Sequence, residues 1–150
     1  MKAFKFRLET LLHLREISRD KALSQYAHAI NLRQDKEKEL RESELRLVEL
    51  QFQISEKRKN SFTGSKQEAF DLSVKHAKER ILDANKNLQQ SIQTEKAKKG
   101  IYLNSNSEYK SLLKLKEKQF EIHVRNETLK EERELEDIIG GRFVFNNITS

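Results

Sequence analysis

Apolar residues recur along the chain at alternating steps of three and four, the spacing of one stripe on a helix. Counting from Leu12, one heptad series reads Leu12, Arg19, Tyr26, Arg33, Leu40, Leu47 and Ile54. Its companion reads Leu8, Arg15, Ala22, Ala29, Lys36, Ser43 and Leu50. Nine of these fourteen residues are apolar, and the stripe is clean from Leu40 onward but polar around Arg33 and Lys36. With no proline or glycine before residue 64, the spacing predicts a first helix over about residues 5–60.

The stretch "NSFTGSK" at 60–66 interrupts the stripe, and Gly64 there is free to take the positive φ of a tight reversal. A second stripe follows with Phe70, Val74, Ala77, Ile81, Ala84 and Leu88. It weakens between Gln93 and Glu108, where Gly100 and the Asn104–Ser107 run lower helix propensity and lead us to expect a bend or fraying. Tyr109, Leu112, Leu115, Ile122 and Leu129 then carry it toward the glycine pair Gly140–Gly141, where the second helix is expected to end near residue 139, with a flexible tail over 140–150.

Two helices joined by a turn at Gly64 fold back antiparallel, so residues whose numbers sum to about 128 become neighbours across the seam. Ile54 then falls near Val74, Leu47 near Ile81 and Leu40 near Leu88. Arg33 meets the level of Glu95, and Tyr26 that of Tyr102. The expected fold is all-α: one coiled-coil hairpin domain over 1–150, with Leu40, Leu47, Leu50, Ile54, Val74, Ile81 and Leu88 in its seam. At about 1.5 Å per residue the second arm, at about 110 Å, outruns the first, at about 80 Å. That leaves Leu129, Leu135, Ile138 and Ile139 of "LKEERELEDII" without a partner arm to cover them.

Composition narrows the class. Only 35% of residues are hydrophobic against 36% charged, too thin for a broad globular core and suited to narrow helical stripes. Disorder is the competing class, but the 30 basic and 24 acidic residues are interspersed and the apolar ones periodic. The chain has no cysteine, so disulfide and thiolate chemistry are excluded. No apolar run approaches the ~18 residues of a membrane span. Glu9, Glu16 and Asp20 argue against reading the basic opening as an organelle transit peptide.

Catalytic and cofactor chemistry find no foothold. His13, His28, His76 and His123 lack partners at metal-binding helical spacing, and no glycine-rich phosphate loop is present. We expect no enzyme activity, no metal and no cofactor. The net charge of +6 raises a rival reading, a nucleic-acid binder using "EKRKN" and "EKAKKG". Glutamate dilutes those runs and no aromatic residues interleave with them, so nucleic acid is not an expected partner.

"FKFRLETLLHLRE" near the start, followed by an alanine-containing stretch, and "LKEKQFEIHVRNETLKEERELEDI" near the other end resemble the FliJ family of flagellar type III export proteins. The resemblance implies a cytoplasmic antiparallel hairpin similar to the stalk of rotary ATPases. It also implies insertion into a hexameric export ATPase that the stalk activates, contact with the cytoplasmic part of the export gate, and escort of flagellar substrate chaperones. Such a protein would reach the inner membrane only peripherally, through its partners. The matching positions at the N-terminal arm are Phe6, Leu8, Leu11, Leu12 and Arg15, joined by Arg7; at the C-terminal end they lie around Lys130 and Arg133. An injectisome stalk homologue or a plain structural coiled coil would carry the same physics.

Overall fold

The computed structural model describes residues 2–60 and 63–149, without the side chain of Thr149. The protein is all-α. Helix α1 spans Glu9–Arg58 and the longer α2 spans Gly64–Thr149. Among the described residues there is no strand.

Local chemistry sets the helix ends. Glu9 stands in the first turn of α1 and Lys57 and Arg58 in its last, each sign favourable to the helix dipole. Lys59 N–H donates to Glu56 O at 3.3 Å and Asn60 N–H to Lys57 O at 3.2 Å, tightening the final turn and pairing those two carbonyls. At the start of α2, Thr63 O accepts from the N–H groups of Lys66 and Gln67, so Thr63 caps the helix.

Three expectations from the sequence are corrected. Gly64 is not a positive-φ reversal: it is the first residue of α2, and no described glycine has positive φ. Of the expected turn at 60–66, Ser61 and Phe62 lie outside the described residues. Gly100 neither bends nor frays α2, which is unbroken through 91–110. Nor does α2 stop at 139, since it runs through Gly140 and Gly141 to Thr149. Glycine lowers helix propensity by only about 1 kcal/mol and does not remove a hydrogen-bond donor, so it weakens a helix without ending it.

The chain forms two compact units. The second, Asp20–Leu103, holds an antiparallel helix pair. Its register is fixed by Arg33, which bridges Glu95, and by Tyr26 and Tyr102, whose rings stack with centroids 6.2 Å apart and planes 1° from parallel. Ala22, Ala29, Ile54, Ala84 and Leu88 are its buried apolar residues, so a seam lined largely by alanine brings the helices together without a thick core. Ser91 is also buried, and its hydroxyl donates to Leu88 O at 2.7 Å, leaving no unsatisfied polar atom.

The first unit joins Met1–Arg19 to Asn104–Ser150. Arg15 Nη1 donates to Glu108, Lys116 Nζ reaches Glu9 Oε2 at 2.8 Å, and the Arg19 guanidinium lies 4.4 Å from the Tyr109 ring centroid. Ahead of α1, Phe4 meets Phe120 edge-on with centroids 5.4 Å apart, Phe6 is buried, and His123 Nε2 lies 2.9 Å from Lys2 O.

Candidate partner-binding surfaces

All fourteen heptad positions read from α1 and the residue before it are buried or half-buried, the arginines and Lys36 included. The same holds for Leu40, Leu47, Leu50, Ile54, Val74, Ile81 and Leu88. On α2 a strict heptad step of covered positions runs through the stretch that reads as weak, Leu88, Ser91, Glu95, Lys98, Tyr102, Ser105, Tyr109, Leu112 and Lys116, with Asn106 and Leu113 half-buried beside it. Keeping this phase places Leu115, Ile122 and Leu129 one residue off the seam. They are exposed, against their expected place in the stripe.

Several polar seam positions are partnered, Arg33 most fully. Arg33 Nη1 donates to Glu37 at 2.7 Å while Nε bridges Glu95. Its pKa is held above the usual arginine value, first by the hydrogen bond to Glu37 and then by that to Glu95, against the opposing effect of burial.

The N-terminal candidates divide by exposure. Phe6 and Leu12 are buried and Leu8 is half-buried, covered within their own unit. The heptad itself is the reason, because Leu8 and Leu12 occupy seam positions. Arg7 is exposed. Leu11 and Arg15 line an open groove with Ser107, Glu108, Leu112 and Leu115, and Arg15 is engaged there by Glu108. Every described residue from Thr128 to Ile148 is exposed, Lys130 and Arg133 among them.

The sequence reading passed over a second exposed stripe. Leu45, Val48 and Phe52 stand three and four residues apart on α1 and are 59%, 60% and 65% exposed. Their spacing is helical but out of phase with Leu47, Leu50 and Ile54, and that offset is the signal that could have found them. The three side chains line up as an exposed apolar stripe on α1.

Among the described residues no three His, Cys, Asp or Glu side chains gather as a metal site would need, and no helix is long and apolar enough to cross a membrane. The surfaces present apolar stripes and charge, the materials of protein–protein contact. The model of the flagellar FliJ protein family matches residues 4–145, nearly the whole chain. The chain belongs to that family. It is thereby a coiled-coil protein associated with flagellar export. Comparison with curated proteins and with solved structures gives no match.

Proposed function

We propose that this FliJ-family chain is a non-enzymatic cytoplasmic stalk of the flagellar export apparatus. It docks into the hexameric export ATPase and promotes ATP hydrolysis there. The observation that carries the reading is the C-terminal part of α2: from Thr128 onward it is helical and wholly exposed, with Lys130 and Arg133 beside Leu129, Leu135, Ile138 and Ile139. A helix that leaves apolar residues in water has a partner to cover them. A charged, apolar-striped helix suits insertion into the centre of a ring, and Arg7, exposed in the same unit, adds positive charge.

The stripe of Leu45, Val48 and Phe52 lies in the other unit and leaves a separate surface for a second protein of the apparatus, with the cytoplasmic part of the export gate as its expected occupant and substrate chaperones escorted alongside. In this reading ATP hydrolysis belongs to the partner, in keeping with a sequence that carries no glycine-rich phosphate loop. The test is the ATPase rate of the cognate hexamer with and without the purified chain. Stimulation by a chain that hydrolyses nothing itself supports the stalk reading, and salt-sensitive DNA binding with no effect on the ATPase contradicts it.

A further inference from the structure

The helix pair of the first unit has two unlike flanks. Arg15 meets Glu108 and Glu9 meets Lys116, so α1 and α2 run antiparallel there, and residues one before a seam position on either helix share one flank. On α1 that flank carries Leu11 and Leu14, 38% and 56% exposed. On α2 it carries Leu115 and Ile122, 39% and 46% exposed. Leu11 and Leu115 line the same open groove, of about 410 Å³.

Charge follows the same division. Lys118 and Arg125, exposed and seven residues apart, edge this flank on α2. Neither is held in an ion pair among the described residues, although Glu121 stands between them in the sequence. Glu108, the acid of the groove, is taken by Arg15. The opposite flank, one residue after each seam position, carries Glu9, Glu16, Glu117 and Glu127 against Lys110 and His13.

We infer that the Leu11–Leu115 flank docks an amphipathic helix of a partner protein, one with a stripe of aliphatic residues and with acids seven apart along one edge. The stripe covers Leu11, Leu14, Leu115 and Ile122, and the acids meet Lys118 and Arg125. A basic helix would be repelled by that edge, and an acidic helix without aliphatic residues would leave the four apolar side chains in water. Nucleic acid fits less well, because a floor of leucine and isoleucine offers bases no aromatic surface on which to stack. From the level of Ser111 to Arg125 the occupant needs about 14 residues, or roughly 21 Å of helix. This flank ends before Thr128, so it is separate from the end of α2 that the stalk reading uses.

The test uses the whole chain without any other protein of the apparatus, so its failure leaves the stalk reading untouched. The probe is a labelled synthetic peptide of about 18 residues, with leucine along its helical stripe and glutamate seven apart along one edge. It should bind saturably below about 100 µM, and more weakly as salt rises. Lys118→Glu with Arg125→Glu should weaken binding roughly tenfold or more without changing the helical signal. A peptide with lysine in place of glutamate should bind that variant and not the parent. Because the protein has no cysteine, position can be read separately. The Ile122→Cys chain should form a disulfide with a cysteine in the peptide's stripe, and the Glu117→Cys chain, altered on the opposite flank, should not. Absence of binding, equal binding by the charge-reversed variant, cross-linking of the Glu117→Cys chain as fast as the Ile122→Cys chain, or preference for a DNA duplex over the peptide overturns the inference.

Discussion

Arg33 on α1 holds Glu95 on α2 across the seam of the second unit, and it also holds Glu37 one turn along its own helix. The arginine occupies a heptad position that a leucine would normally fill, and it is tolerated there because both carboxylates come to it. Removing one partner and removing the charge altogether should therefore have opposite consequences. Glu95→Ala strands a half-buried guanidinium on a single partner and should lower the melting temperature. Joint replacement of Arg33 and Glu95 by leucine fills the layer with apolar volume and should leave the melting temperature unchanged or raise it. Thermal melts of the two variants, followed by circular dichroism, check this; a double variant less stable than Glu95→Ala would refute it.

Burial separates the seam from the exposed stripe in the same stretch of α1. Ile54→Ala and Leu88→Ala each remove a buried side chain and should cost about 2–4 kcal/mol. Leu45→Ala and Phe52→Ala, on the exposed stripe, should stay within about 0.5 kcal/mol of the parent. Urea unfolding of the four variants measures the contrast, and equal midpoints would mean that the seam is misplaced.

In the first unit, Arg15 and Glu108 form an ion pair in which both side chains are more than two-fifths exposed. Solvent screening keeps such a pair small, about 0–1 kcal/mol. A double-mutant cycle with Arg15→Ala and Glu108→Ala should give a coupling in that range. A larger value would show that the groove beside Leu11 is more closed than its open lining implies.

Gly140 and Gly141 interrupt the propensity of α2 but not its course. A Cβ at either position would meet nothing within 4 Å. Alanine at both should thus firm the helix by roughly 1–2 kcal/mol in all, without a clash. Amide exchange over residues 142–148 should slow while the melting temperature of the rest is unchanged. Exchange as fast as in the parent would mean that the glycines do not limit this segment's order.

Much of this architecture is legible in the spacing of apolar residues. Every heptad position from Leu8 to Ile54 is covered, with Glu16, Ile30 and Glu37 half-buried beside them, and the matching of Arg33 with Glu95 and Tyr26 with Tyr102 gives the register of the second unit. Legibility fails where apolarity and position part company. Between Ser91 and Ser105 the seam is built from serine, glutamate, lysine and tyrosine, so an apolar count reports a break that the helix does not contain. Leu115, Ile122 and Leu129 look like the stripe resuming because they are apolar, yet the preserved phase leaves them outside it. The candidate surface suffers from the same ambiguity. Leu8 and Leu12 read as partner-facing, although a large apolar residue at a seam position is covered first by its own fold. Arg7 and the α2 residues 128–148 are where charge and helical exposure coincide outside the heptad seam.

The central claim is that this exposed end is the working end, and one paired measurement tests it directly: melting temperature beside stimulation of the cognate hexameric export ATPase. The variant carries Arg7→Glu, Lys130→Glu and Arg133→Glu together, all at exposed positions. The account predicts a melting temperature within a few degrees of the parent, since exposed charges contribute about 0–1 kcal/mol each, together with loss of most of the stimulation. A variant that folds as the parent does and stimulates equally well would contradict it.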